Sequence, residues 1–217
     1  MRIVLDGMGG DNAPQVVVEG AVASTKEMPH EIIIVGQEDA INECLKKTGY
    51  TGDKIRVVNA TEVITNEEAP VRAVRSKKDS SMVKGINMVK AGEGDVFISA
   101  GSTGALLAGG LFILGRIQGI DRPSLATVYP VIGSVPSLLT DAGANAECKP
   151  NNLLEFGIMG SVYMEKVMGR ENPTVGLVNN GSEEKKGTTL TKAAHEMLKK
   201  SHLNFIGNVE AASKRCL

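Results

Sequence analysis

The chain has 217 residues, enough to bury a full hydrophobic core, and its 24 basic and 25 acidic residues give a formal net charge of -1. Because these charges are mixed along the chain, the overall charge excludes wrapping of nucleic acid or broad attachment to an anionic membrane. The three cysteines, Cys44, Cys148 and Cys216, are far apart in sequence without a CxxC pair. This argues against a zinc site or a disulfide framework and predicts a reducing compartment.

The amino-terminal residues and two uncharged stretches bear on location. Residues 1–6 reach an acidic side chain before a hydrophobic signal core could form, which predicts a cytoplasmic protein. The stretches 96–115 and 123–140 have the length of membrane spans. However, the first contains five glycines, and the second contains three prolines that would interrupt a helix. We therefore expect neither stretch to cross a membrane.

Apolar runs of strand length alternate with helical segments along the chain. This alternation predicts an α/β protein with a mostly parallel sheet and helices on both of its faces. No linker or internal repeat divides the chain, so we expect a single domain over residues 1–210, followed by a divergent tail over 211–217. The predicted strands are 2–6, 31–35, 55–59, 96–99, 126–131, 138–141, 174–179 and 204–207; the predicted helices are 14–25, 38–47, 81–91, 103–114, 152–168 and 190–200.

The first polar loop, in chain order, follows the first predicted strand and lies between Asp6 and Asp11. Gly9 and Gly10 could wrap a phosphate or a polar substrate, while the two carboxylates orient loop donors or bind a metal. The loop has neither the G-x-G-x-x-G fingerprint nor a Walker A lysine. We predict no cofactor and no metal site. In the alternative interpretation, Asp11 or Asn12 only caps the following helix.

A basic cluster comes next and consists of four side chains, Arg72, Arg75, Lys77 and Lys78. Such clusters are usually solvated surfaces. This one could also dock an acidic partner, because complementary charge steers association.

A turn with two glycines and two hydroxyl side chains follows the predicted strand 96–99. Gly101 and Gly104 allow a ligand to approach the backbone closely. Ser102, Thr103 and the first free N–H groups of the next helix supply hydrogen-bond donors. Because open α/β sheets bind ligands at the carboxyl ends of their strands, the turn is a candidate anion site. The alternative is an ordinary turn in which the serine or threonine caps the helix.

Two later strand ends also carry polar loops. Asn145 and Lys149 follow the sixth predicted strand, and Asn180 and Lys186 follow the seventh. Because the carboxyl ends of parallel strands meet at one edge of a sheet, these loops can converge with the earlier two on one crevice. Lys186, next to Gly187, is the best candidate for a positioned cation. The alternative is a solvated turn of glutamates and lysines.

Two residues with reactive side chains stand outside any local motif. Cys148 could be a nucleophile, but a thiol without a catalytic role is the more common case. His195 falls in the middle of a predicted helix, so a general-base role is the lesser alternative.

Five segments stand out together: DGMGGDNAP at 6–14, KKDSSM at 77–82, AGSTGA at 100–105, GANAECKP at 143–150 and VNNG at 178–181. In order and spacing they resemble the bacterial phosphate acyltransferases of phospholipid synthesis, and the resemblance runs from residue 1 to about residue 210. It implies a homodimer with a fold similar to the isocitrate and isopropylmalate dehydrogenases and to phosphotransacetylase.

The resemblance also implies an activity. A fatty acyl group passes from acyl-(acyl carrier protein) to inorganic phosphate, and the acyl phosphate then serves a membrane glycerol-3-phosphate acyltransferase. For this chemistry we assign phosphate to the turn 101–104, and the oxyanion of the thioester carbonyl to Lys186 with Asn180 or Asn145. The basic cluster would meet the acidic carrier protein. Such a protein works in the cytoplasm and can associate peripherally with the membrane.

The sequence also departs from this family. Gly7 and Asn12 stand where alanine and often histidine are expected. The family continues beyond residue 210, so the chain has roughly two thirds of the usual length, and we expect a domain that is incomplete at its carboxyl end. Two other functions stay open: a related nucleotide-dependent dehydrogenase or kinase, and a fragment that binds phosphate or carrier protein without turnover.

Overall fold

The computed structural model describes residues 1–131 and 135–210, and the chain divides into two compact units, Met1–Arg116 and Ile117–Leu217. The tail predicted at 211–217, which includes Cys216, lies outside the described residues. The single domain over residues 1–210 stays a prediction.

The first unit is built on a four-stranded parallel sheet. Its elements are β1 (Arg2–Asp6), α1 (Gln15–Glu27), β2 (Glu31–Gly36), α2 (Glu38–Thr48), β3 (Ile55–Asn59), α3 (Pro70–Ser76), α4 (Ser81–Lys90), β4 (Val96–Ile98), α5 (Thr103–Gly109) and a π-helix (Gly110–Leu114). The strands lie in the order β3-β2-β1-β4, and all three pairings are parallel. The loops after β1 and β4 therefore emerge side by side.

Helices cover both faces of this sheet, because successive residues of a strand point to opposite sides. Ile34 of β2 packs with Val18 of α1 and Ile41 of α2. Its neighbour Ile33 packs on the other face with Met88 of α4. Burial of each such side chain stabilises the fold by about 1.5–3 kcal/mol. The predicted parallel sheet with helices on both faces is confirmed.

Helix α3 is missing from the sequence-based prediction, because Arg72 and Arg75 indicated a charged surface rather than an element. The signals for its start are the proline at its first position and the extended conformation of Ala69 before that proline. Ala73 and Val74 are buried in a core cluster with residues of α4 and α5. The basic cluster is therefore held on a packed helix.

The second unit contains an antiparallel hairpin and a parallel strand pair. Its elements are β5 (Ala126–Tyr129), β6 (Ser137–Thr140), α6 (Pro150–Lys166), β7 (Thr174–Val178), α7 (Thr189–Lys199) and β8 (Asn204–Val209). Strand β5 pairs antiparallel with β6, and β7 pairs parallel with β8. Within residues 1–131 and 135–210, no helix combines the length and the apolar character that a membrane crossing requires.

Candidate active site

Two glycine loops touch at the carboxyl ends of β1 and β4. A Cβ atom at Gly9 would lie 2.9 Å from the Gly101 nitrogen and 2.6 Å from Asp6 Oδ2, so only glycine fits without a shift. Gly10 has a φ of 102° and packs beside Ala100. This left-handed conformation favours glycine. The structure thus brings four of the predicted site residues together.

Asp6 holds these two loops in place. Its side chain is buried, with 3% of its surface exposed. Oδ2 accepts a 2.7 Å hydrogen bond from Ser99 Oγ, and Ser99 Oγ accepts a 3.0 Å hydrogen bond from the Gly101 N–H. Oδ1 accepts from the Met8 N–H at 3.2 Å. Asp6 is therefore a residue that orients the loop. Sequence reasoning missed its partner Ser99, although a hydroxyl at a strand end was the available signal.

The amino terminus of α5 combines a helix cap with free donors. Ser102 is the N-cap residue, and its Oγ accepts from the Ala105 N–H at 3.4 Å. The backbone N–H groups of Ser102, Thr103 and Gly104 have no acceptor among the residues that the structure describes. A Cβ at Gly104 would lie 2.8 Å from Pro70 Cγ, so this glycine is needed for packing against α3. The capping alternative is confirmed for Ser102, and three N–H groups stay free for an anion.

Asp11 lies on the rim of the β1 loop and is exposed. Pro14 is the N-cap residue of α1, with no side-chain capping hydrogen bond, so neither Asp11 nor Asn12 caps the helix. The alternative interpretation of these two residues was therefore wrong. The Asp11 carboxylate has no hydrogen bond or ion pair within the described residues and remains available to a ligand or partner.

In the second unit, Asp141 organises the loop after β6. Its Oδ1 accepts from the Leu125 N–H at 2.8 Å, and its Oδ2 accepts from the Asn145 N–H at 2.8 Å. Burial raises the pKa of Asp141, but these N–H groups and the Asn145 amide outweigh that effect and hold the pKa below its ordinary value. The Asn145 amide donates to Asp141 Oδ2 at 3.1 Å and to Pro123 O at 2.9 Å. Both donors of the amide are thus used within the loop.

Cys148 and Lys149 follow in the same loop. Burial raises the pKa of the Cys148 thiol, the charge of Asp141 raises it further, and Arg122 offsets only part of this. A thiol in this state is a poor nucleophile at neutral pH. Lys149 is the exposed N-cap residue of α6, and its N–H donates to Asn152 Oδ1 at 2.9 Å. Its ammonium group has no partner in the described parts of the chain.

The loop after β7 presents Asn180 and Lys186. Asn179 closes this loop, because its Nδ2 donates to Lys186 O at 3.2 Å and its Oδ1 accepts from the Asn180 N–H at 2.9 Å. Gly187 follows with a φ of 95°, and a Cβ there would lie 2.6 Å from Asn179 Nδ2. The Lys186 side chain is exposed, and its ammonium group has no partner within residues 1–131 and 135–210. The loop fixes the backbone of Lys186 and leaves its charge free.

The basic cluster is split by the structure. Arg72 and Arg75 are exposed on α3, and the Arg75 guanidinium lies 5.2 Å from the centroid of the Phe112 ring. Lys77 turns inward, where its Nζ donates to Val63 O at 2.6 Å and pairs with Glu68 Oε2 at 2.7 Å. The exposed Lys78 donates weakly to Val74 O at 3.4 Å. Arg72 and Arg75 are therefore the strongest candidates for contact with a partner. No cluster of metal-ligating side chains occurs in the described residues.

The fold of the chain is that of the phosphotransacetylases. A phosphotransacetylase from Streptococcus pyogenes aligns with 97% of this chain and 68% of its own, with a TM-score of 0.70 and 23% identity. A branched-chain phosphotransacylase from Enterococcus faecalis V583 aligns with 96% of this chain and 68% of its own, with a TM-score of 0.63 and 16% identity. At these identities the likeness concerns the fold alone.

The sequence matches are more specific. The chain belongs to the fatty acid synthesis protein family, whose family model matches residues 1–213. The phosphate acyltransferase of Clostridioides difficile (strain 630) is 54% identical over 97% of this chain, and that of Alkaliphilus oremlandii (strain OhILAs) is 56% identical over 97%. The chain spans 62% and 63%, respectively, of the length of these two relatives. The resemblance to the phosphate acyltransferases is confirmed.

Proposed function

We propose that this chain carries the acyl transfer activity in which a fatty acyl group moves from acyl-(acyl carrier protein) to inorganic phosphate. The names of its relatives support acyl transfer to phosphate. The observation that carries the proposal is the pair of glycine loops after β1 and β4. They are held by the Asp6 carboxylate and leave the N–H groups of residues 102–104 free. Such a concave set of backbone donors suits a phosphate ion.

The reaction needs no covalent enzyme intermediate. Phosphate is partly dianionic at neutral pH and attacks the thioester carbonyl directly. The thiolate of the carrier then leaves, since its parent thiol has a pKa of about 8.5. The protein has to supply position and stabilisation of the charge that develops on the carbonyl oxygen.

We assign that charge stabilisation to Lys186, assisted by Asn180. The backbone of Lys186 is clamped by Asn179 while its ammonium group is unpaired. Asn145, the other predicted amide, uses both of its N–H donors inside its own loop. In this proposal Asn145 shapes the loop, and Lys149 is a further cation for the substrate. Asp11, Gly9, Gly10 and the turn Gly101–Gly104 belong to the phosphate side of the site.

The same proposal includes the partners that the resemblance implies. The chain forms a homodimer, works in the cytoplasm with peripheral contact to the membrane, and passes its acyl phosphate to a membrane glycerol-3-phosphate acyltransferase. No nucleic acid, metal or nucleotide cofactor enters the scheme.

The test is phosphate-dependent consumption of acyl-(acyl carrier protein), with the acyl phosphate trapped as a hydroxamate. It is run on the 217-residue chain and on the same chain extended to the length of its relatives with a segment of the Alkaliphilus oremlandii protein. We call whichever of these turns over the active form. Consumption at an equal rate without phosphate, or no consumption by either form, would refute the activity. Tight binding of NAD or ATP would favour the dehydrogenase or kinase alternative, and binding of phosphate without turnover would favour the binding fragment.

Cys148 should be dispensable. Because burial and Asp141 raise the pKa of its thiol, little thiolate exists at neutral pH, and the proposed mechanism does not use it. We expect Cys148→Ser to keep more than about half of the rate in the active form. Iodoacetamide should alkylate Cys148 more slowly than free cysteine at pH 8. An acyl group found on this sulfur by mass spectrometry would contradict the direct attack.

Arg72 and Arg75 should act on the carrier protein. Charge steering affects association mainly and weakens with salt, so the double change Arg72→Glu and Arg75→Glu should raise the KM for acyl-(acyl carrier protein) about tenfold at low salt. The KM should also depend less on salt, while the KM for phosphate stays unchanged. The matched control changes two exposed lysines of the same unit, Lys46→Glu and Lys90→Glu. Equal effects of the two double variants would show that only net charge matters.

A further inference from the structure

A buried polar group in the second unit has no part in the proposed chemistry. His195, in the middle of α7, is 3% exposed. Its ring makes an edge-on contact with Phe205, with centroids 5.0 Å apart and planes at 77°. A buried imidazole needs partners for its nitrogen atoms, so the direction of its hydrogen bonds shows what it supports.

The hydrogen bonds of His195 lead to the loop after β7. His195 Nδ1 lies 3.0 Å from Asn208 Oδ1, and Asn208 Nδ2 donates to Glu183 O at 2.8 Å. Because the amide nitrogen of Asn208 faces a carbonyl, its oxygen is the acceptor, and Nδ1 of His195 carries the proton. Asn208 is itself 2% exposed. Neither group can turn to water for a replacement partner.

Glu183 O is where this chain of hydrogen bonds reaches Lys186. The same carbonyl oxygen accepts a 3.0 Å hydrogen bond from the Lys186 N–H. Lys186 O accepts from Asn179 Nδ2 on the other side. The backbone of Lys186 is therefore held at both of its polar atoms, and one of the two holds is anchored through Asn208 to His195.

The second nitrogen of His195 faces the same loop. Nε2 lies 3.8 Å from Glu184 Oε1, which also pairs with Lys199 Nζ at 2.6 Å. Glu183 and Glu184 are consecutive residues, so α7 and β8 contact the loop at two adjacent positions. The position of the loop, and with it the stem of Lys186, depends on groups that never reach the substrate.

We infer that His195 is a positioning residue that acts through Asn208 and Glu183 on Lys186 in the proposed acyl transfer. The inference rests on the proposed function for its effect on turnover. The hydrogen-bond link itself can be measured without any substrate. A small displacement of a group that stabilises the transition state lowers kcat strongly, while ground-state binding of the substrates is affected less.

The experiment uses His195→Phe, which keeps an aromatic ring beside Phe205 and removes the donor to Asn208. In the 217-residue chain, NMR should show exchange of the Lys186 amide proton with solvent about tenfold faster, while the Asn179 amide, bonded to Val209 O, keeps its rate. In the active form, kcat should fall about tenfold or more, with each KM changed less than about twofold. His195→Asn, which can place an amide donor near Nδ1, should restore part of both quantities.

A second variant covers the case in which His195→Phe does not fold. Asn208→Asp keeps an acceptor for His195 and replaces the donor to Glu183 O with a carboxylate oxygen, so it should also accelerate exchange at Lys186 selectively. Unchanged exchange at Lys186, or equal acceleration throughout β7, β8 and α7, would overturn the inference and leave His195 a core residue only. If exchange is selective but Lys186→Ala leaves kcat unchanged, the positioning link stands and the catalytic role proposed for Lys186 fails.

Discussion

Replacement of Lys186 by alanine should lower kcat about a hundredfold in the active form, equivalent to about 2.7 kcal/mol of transition-state stabilisation. The ammonium group is unpaired while its backbone is held by Asn179, so its charge is available to the oxyanion at little conformational cost. Because the charge on the carbonyl oxygen is greatest in the transition state, both KM values should change less than kcat. Steady-state kinetics with both substrates measures this difference.

Lys185 provides the matched control for that substitution. It is exposed, one residue away, and its side chain also lacks a partner in the described part of the chain. Lys185→Ala removes the same charge from the same loop and should leave kcat within about twofold of the parent. Equal and small effects of the two substitutions would show that the oxyanion is stabilised elsewhere. Lys149, the other exposed cation at a strand end, would then be substituted next.

Replacement of Gly9 by alanine should damage the phosphate side of the site. The added Cβ would lie 2.6 Å from Asp6 Oδ2 and 2.9 Å from the Gly101 nitrogen, so the β1 and β4 loops must separate. Overpacking of this kind costs about 1–3 kcal/mol. We expect a lower Tm and a KM for phosphate at least about tenfold higher, with a smaller change in the KM for acyl-(acyl carrier protein).

Gly20 is the control for this substitution. It lies on the exposed side of α1, and a Cβ there would meet nothing within 4 Å, so Gly20→Ala should stabilise the helix by about 1 kcal/mol without affecting phosphate. A Gly9→Ala protein with the parent's Tm and KM for phosphate would show that the contact between the loops is not needed for binding.

Much of the fold was predictable because the strands are marked by continuous apolar runs. All eight predicted strands are present, and the parallel sheet of the first unit follows from their alternation with helices. Helix α3 was not predictable in the same way, since only Ala73 and Val74 on it are buried and its exposed surface resembles a solvated turn. Propensity over seven residues is a weak signal compared with packing.

The glycine loops of the candidate site were predictable, but the way they are held was not. The hydrogen bond between Ser99 and Asp6 joins residues 93 positions apart, and no local pattern announces such a pair. The same holds for Lys77, whose charge looks available in the sequence but is paired with Glu68 in the structure. Side-chain direction depends on tertiary neighbours, so residue type alone assigned this lysine to the partner surface wrongly.

The strand order of the first unit also constrains how the unit is assembled during synthesis. Strands β1, β2 and β3 can pair as soon as residue 59 is available, but one edge of β1 stays open until residues 96–98 arrive. An open edge of a hydrophobic strand can pair with another chain, so the nascent protein passes through an interval in which it is prone to aggregate. Arrival of β4 closes that edge and, in the same step, brings Ser99 to Asp6. Maturation of the anion-binding loops and protection of the sheet are therefore a single late event.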